Sequence, residues 1–204
     1  MSETIDPRQT ALLTIDLQND FLHPDGAYGR AGQRADAIAD LPARIAPVRD
    51  TLRAKGGTYI SAQFTLVPGP GGEPLIAAHL KKLRPFLGRG DFAPGAFGHA
   101  LVDTLAPADY TVEKVAYSAF YQSRLEYILR ALGIRAVIVG GIVTNGGVAS
   151  TLRDAHLRDI PTVLLSDGSA AFDRAVHEAT LTSLATVTRA MTCAEAIAML
   201  EAAS

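Results

Sequence analysis

Three runs of the chain, Ala11–Leu17, Thr58–Phe64 and Ala136–Gly140, are nearly continuous in aliphatic residues instead of alternating apolar with polar. An alternating strand has one wet face, whereas an unbroken apolar one must be covered on both. These runs therefore read as buried parallel strands. A fourth, Thr162–Ser166, follows Pro161, and Ala185–Thr188 fits a fifth. Helical patterning fills the intervals at about Leu41–Ala54, Arg124–Leu132, Val148–Arg158, Arg174–Leu184 and Cys193–Ala202. Two helix starts carry a hydroxyl with a carboxylate three residues on, Ser123 with Glu126 and Thr192 with Glu195, the pattern of a reciprocal cap. Strands alternating with helices predict an α/β fold, with a mostly parallel sheet between two helical layers. At 204 residues the chain suits a single domain, 1–204.

The segment Leu66–Pro107 breaks this rhythm, being dense in proline and glycine. So long a loop in a compact domain is usually functional, a lid or a contact between subunits. A structured excursion with one short helix near Leu75–Leu83 is expected.

Composition narrows the function. Nineteen Lys plus Arg against 21 Asp plus Glu, a net charge of −2 and 48% hydrophobic residues exclude a disordered chain and a basic nucleic-acid binder. Lys81, Lys82 and Arg84 form the one dense basic cluster and read as a solvated helix face. Met1–Thr10 carries Glu3, Asp6 and Arg8 but no apolar core, so neither a secretory leader nor a transit peptide is expected and the protein is placed in the cytoplasm. The longest aliphatic run, Ala136–Val143, falls short of the ~20 residues of a spanning helix, so no membrane partner is expected. Cys193 stands alone, and His23, His79, His99, His156 and His177 lie far apart, so no metal and no cofactor are expected. Cys193 reads as a small buried hydrophobe. A G-x-S-x-G nucleophile elbow is missing.

Ligands of open parallel sheets collect beyond the carboxyl ends of the strands. There the first strand delivers Asp16, Gln18, Asn19, Asp20 and Phe21, the second delivers Gln63, Tyr110–Glu113 leads to Lys114, and the third opens into Gly140–Gly147. Asp16 and Lys114 each follow strand-like sequence, where an unpaired charge is costly, and are expected to neutralise each other. Such a pair is either a structural bridge at the sheet edge or a tuned general acid or base. The turn Gly140–Gly147 precedes a helix, whose first N–H groups make a natural anion or oxyanion site. It misses the phosphate-binding P-loop, since Gly147 and Val148 stand where Lys and Ser or Thr are required. A tight turn serving only helix packing is the alternative.

Taken together, Leu13-Thr-Ile-Asp16-Leu-Gln-Asn-Asp-Phe21, Glu113-Lys114 with Tyr117-Ser-Ala-Phe120 and Ser123, and Gly141-Ile-Val-Thr144-Asn-Gly-Gly147 running on to Ala155 resemble the isochorismatase-like hydrolase superfamily. The resemblance covers about Ala11–Leu200 and implies a Rossmann-like three-layer α/β/α sandwich, commonly a homo-oligomer, dimer or tetramer. Most such proteins cleave amide or carbamoyl bonds with an Asp, Lys and Cys triad. Asp16 and Lys114 match the first two, but the residue aligned with the nucleophile is Gly147, which has no side chain to form a covalent intermediate. Thr144 belongs to the turn where the family places a cis peptide, and Ser150 lies a helical turn further on.

Isochorismatases also lack the cysteine, several carrying glycine there, and hydrolyse a vinyl ether by protonating the enol-ether carbon. The Ala62-Gln63 pair resembles their substrate-contacting Ala-Gln, and the Lys114-x-x-Tyr-Ser-Ala-Phe block is similar too. The chain departs from them in Val143 and Asn145 and in having no tryptophan. Gln63-Phe-Thr65 replaces the Asp-x-His of the metal-dependent nicotinamidase branch, so the resemblance implies no zinc.

These readings imply a hydrolase of a small, anionic metabolite, with Asp16 as general acid and Lys114 setting its charge. Phe21, Gln63, Tyr117, Thr144 and Gly146 are the expected substrate contacts beside Gly147. Two alternatives stay open: a catalytically silent metabolite-binding or assembly member of the family, and an amidase that activates water directly.

Overall fold

The computed structural model describes residues 5–203, so residues 1–4 of the stretch expected to hold no leader lie outside the described part. Six strands form one sheet: β1 (Thr10–Ile15), β2 (Thr58–Phe64), β3 (Tyr110–Lys114), β4 (Ala136–Ile142), β5 (Thr162–Ala170) and β6 (Arg189–Met191). Their order is β3-β2-β1-β4-β5-β6, and every neighbouring pair is parallel. Every residue of β1 is buried, as its unbroken apolar run requires.

Short single turns α1 (Asn19–Leu22), α2 (Ala27–Arg30) and α3 (Asp36–Ala39) precede α4 (Leu41–Ala54), and α5 (Ala78–Leu83) lies in the excursion. The rest are α6 (Leu125–Ala131), α7 (Ala149–His156), α8 (Arg174–Leu184) and α9 (Cys193–Ala202). On one face of the sheet Leu13, Ile15, Ile60 and Val139 pack against Leu125 and Leu129 of α6, Leu152 of α7 and Leu184 of α8. On the other, Leu12, Tyr59, Ile138 and Leu165 meet Ile45, Val48 and Leu52 of α4 and Leu200 of α9. The architecture is therefore the expected three-layer α/β/α sandwich. Among the described residues no helix is long and apolar enough to cross a membrane.

Several local expectations are corrected. The run Ala185–Thr188 is not a strand: the amides of Val187 and Thr188 both donate to Leu184 O at the end of α8, and pairing begins only at Arg189. β5 continues past Ser166 through a bulge, with Val139 opposite Leu164 and Gly141 opposite Ser169. The helix expected from Val148 begins as a single π-helical turn, Thr144–Val148, before α7. Of the two capping pairs, Thr192 and Glu195 bond reciprocally. Ser123 accepts from Leu125 N at 3.1 Å, but Glu126 turns away to Arg158 Nε at 2.9 Å, so the second arm of that cap does not form.

The excursion is structured and held by the residues that follow β1. Gln18 Nε2 donates to Phe64 O and His99 O, both at 3.0 Å, and Asn19 Nδ2 to Phe97 O at 2.9 Å. The Asp20 carboxylate accepts from Ala27 N at 2.8 Å and Phe92 N at 2.6 Å. A small aromatic core of Tyr28, Phe92, Phe64 and Phe21 fills the space beneath.

Candidate active site

The strand order reverses at β1, whose neighbours are β2 and β4, so a crevice opens beyond its carboxyl end. Asp16 stands there, one residue past the strand, in the left-handed region with φ 59°. For a non-glycine residue that conformation costs about 1–2 kcal/mol. Three contacts hold it. The Asp16 amide donates to Ala62 O at 2.9 Å, Oδ1 accepts from Phe64 N at 2.9 Å, and Oδ2 lies 2.7 Å from Lys114 Nζ.

Lys114 ends β3 and is 1% exposed. Its ammonium also donates to Ala116 O at 3.1 Å and sits 5.4 Å from the centre of the Phe64 ring. The sequence expectation of a neutralised pair is met, in a setting with almost no water. Burial pushes the Asp16 carboxyl above its ordinary range, and the attraction and hydrogen bond of Lys114 and the Phe64 amide pull the other way.

The glycine-rich turn closes the opposite wall. Gly141 has φ 120°, and a β-carbon there would fall 2.2 Å from Ile15 O, so only glycine lets β4 run this close to β1. The Ile142–Val143 peptide that follows is cis. At Gly147 a β-carbon would lie 3.3 Å from Asp16 Oδ2 and 2.8 Å from Ile15 Cγ2. The carboxylate oxygen that holds Lys114 thus faces a residue with no side chain. The three groups expected to converge do converge.

The other predicted contacts divide. Gln63 is buried, and its side-chain amide bonds to no protein group among the described residues, leaving donor and acceptor for a ligand. Tyr117 is half exposed, its ring 3.5 Å from where a Gly146 β-carbon would stand. The Gly146 amide, expected to face substrate, instead donates to Val143 O at 2.9 Å. The Thr144 hydroxyl is buried and bonded to His177 Nδ1 at 2.8 Å, so it ties the turn to α8. Phe21 lies 4.7 Å from the Tyr28 ring and 4.6 Å from Phe92, part of the aromatic core.

Sequence reasoning missed two residues. Arg84, read as part of a solvated basic face, leaves the end of α5 and turns inward, its Nε donating to Tyr28 Oη at 2.6 Å. Of that cluster Lys81 is also engaged, by Leu87 O, and Lys82 stays exposed. The signal available was the helix end at Leu83, which frees the next side chain from the polar face. Nothing in the pattern around Tyr28 marks it.

Among the described residues no three His, Cys, Asp or Glu side chains are grouped to hold a metal ion. Cys193, bonded through its amide to Asp167 Oδ1 at 2.6 Å, is buried, and burial together with the Asp167 carboxylate pushes its thiol up to about 12. It is an inert thiol at neutral pH.

The sequence and the fold both have counterparts among known proteins. The isochorismatase domain model matches residues 10–196. A ureidoacrylate amidohydrolase RutB from Caulobacter vibrioides is 34% identical over 176 residues, covering 81% of this chain and 78% of the relative. One of the same name from Methylobacterium radiotolerans is 33% identical over 194 residues, 89% of this chain and 75% of its own. A solved cysteine hydrolase from Pseudomonas syringae pv. phaseolicola superposes with a TM-score of 0.85 at 28% identity, covering 100% of both chains. With a six-stranded parallel sheet, a buried acid–ammonium pair at its switch point and matches of this extent, the chain belongs to the isochorismatase family of hydrolases.

Proposed function

We propose that the chain hydrolyses a small, anionic metabolite by general acid catalysis, with Asp16 as the acid and no protein nucleophile. The observation that carries this reading is the Asp16 carboxyl itself: buried, paired with Lys114 at 2.7 Å, and facing Gly147 through the same oxygen. By the resemblance described above, Gly147 holds the place of the thiol in the amide-cleaving relatives. With only hydrogen on that carbon, a proton donor and a water molecule are the remaining means of cleavage.

The chemistry suited to such a site is vinyl-ether hydrolysis. Asp16 delivers its proton to the terminal enol-ether carbon, producing an oxocarbenium ion. Water adds to the cationic carbon and gives up a proton, which regenerates the acid, and the hemiketal collapses into an alcohol and a keto acid. Lys114 stabilises the carboxylate left after proton transfer, and the Gln63 amide supplies a donor and an acceptor for the substrate's polar groups. A positioned general acid contributes roughly 10²- to 10⁴-fold, so a site without a nucleophile is energetically sufficient.

A second reading is supported by the relatives named ureidoacrylate amidohydrolases. In it Asp16 takes a proton from water, which attacks the carbonyl of a C–N bond, and the same group then protonates the departing nitrogen. A panel of vinyl ethers, ureido acids and amides, assayed with wild type and Asp16→Asn, separates the two. Turnover of vinyl ethers that Asp16→Asn abolishes supports the first; turnover confined to C–N substrates supports the second. Wild-type turnover in Asp16→Asn overturns both, and thermal stabilisation without turnover of any compound leaves a metabolite-binding protein.

A further inference from the structure

Arg84 is a cation without an anion. Its Nη1 is buried and has no hydrogen-bond partner, and among the described residues no carboxylate pairs with it. Its neighbours are phenols. Nε donates to Tyr28 Oη at 2.6 Å, and the Tyr117 phenol stands nearby. A guanidinium nitrogen sealed from water without a partner is costly unless something else supplies one.

The position of this charge indicates the source. Tyr117 touches the space above Gly146, next to Gly147, and the Tyr28 hydroxyl feels the charges of both Arg84 and Asp16. Lys114 has an acid beside it in Asp16, whereas no carboxylate among the described residues answers Arg84. A guanidinium with one edge fixed by a phenol keeps donors in the fork geometry that suits a carboxylate.

We infer that Arg84, oriented by Tyr28 and flanked by Tyr117, binds the carboxylate of the substrate, so that the excursion selects carboxylic acids over their neutral analogues. This rests on the reading of the crevice as the active site, and it adds the substrate class. Arg84 touches the part of the substrate that does not react, leaving bond cleavage to Asp16.

The test is calorimetric titration of the full chain with pyruvate and with N-carbamoylglycine, each against its neutral carboxamide. Wild type binds the acids at least tenfold more tightly than the amides. Arg84→Met loses roughly 10- to 100-fold in affinity for the acids and none for the amides, the size expected for a charged hydrogen bond. Arg84→Lys, which keeps the charge but not the fork, falls between them, and near-ultraviolet circular dichroism confirms that each variant folds. If Arg84→Met binds both acids as well as wild type, or if wild type binds neither acid, the proposal is overturned. A preference that disappears with Arg84 supports it even when no compound is hydrolysed, the result that fails the catalytic reading alone.

Discussion

Two cations, one on the sheet and one on the excursion, are treated in opposite ways. Lys114, on the sheet, is matched by Asp16 at 2.7 Å and almost wholly sealed from solvent. Arg84, on the excursion, has a phenol at 2.6 Å and a buried Nη1 with no partner. A charge that is answered internally can tune a neighbour; one left unanswered can recruit a ligand. The sheet edge therefore suits proton transfer and the excursion suits recognition, and the comparison is open to attack at either end.

The largest effect is expected at the sheet. Asp16→Asn should lower turnover by roughly 10²- to 10⁴-fold, because the group that transfers the proton is gone. The pH profile sharpens this. Burial raises the Asp16 carboxyl above its ordinary range, so an acid mechanism gives kcat/KM that is level on the acid side and falls tenfold per pH unit above the raised pKa. The water-activating mechanism gives the opposite slope. Linkage has a definite sign too: a carboxyl raised on folding stabilises the native state below its unfolded value of 3.8, and that contribution is lost as pH rises through the folded value. Urea unfolding of wild type and Asp16→Asn across this range measures it.

Next in size is Lys114→Met, which leaves a carboxylate buried alone and should cost about 3–5 kcal/mol at neutral pH. The cost should shrink in acid, where Asp16 takes up a proton, and the double variant Asp16→Asn with Lys114→Met should recover much of it. A double-mutant cycle in urea checks both. If Lys114→Met is neutral at pH 7, the pair is not the matched one of the comparison.

On the excursion, Asp20→Ala removes the acceptor for Ala27 N and Phe92 N and should cost about 2–4 kcal/mol. Limited proteolysis should then cut within 66–107 while the sheet stays protected. Arg30→Met tests the same region more gently. Its guanidinium meets Asp91 Oδ1 at 2.5 Å, but the arginine is 55% exposed, so its loss should cost no more than about 1 kcal/mol.

The two regions also differ in how far they were legible. Apolar runs that neither alternate nor exceed strand length identified β1, β2, β4 and β5, and their carboxyl ends, together with the strand-like Tyr110–Glu113, brought Asp16, Lys114 and Gly147 onto one short inventory. A period of residues reports burial, and burial is what a sheet core consists of. The excursion has no such period. Lys81, Lys82 and Arg84 look alike in sequence, and only the end of α5 at Leu83 sends one of them inward. Ala185–Thr188 misled for a related reason: its β-branched residues favour a strand, but the closing turn of α8 claims their amides first. Ser123 and Glu126 had the spacing of a mutual cap, yet a distant partner, Arg158, draws the glutamate away.

The stretch from Asp16 to Asp20 holds the buried acid at one end and, within four residues, three side chains that moor the loop above it. Acid and roof are therefore cut from a single piece of chain. A change in that pentapeptide disturbs reactivity and enclosure at once, so new specificity is most economically engineered in the roof itself, where residues can be exchanged without touching the hinge on which both depend.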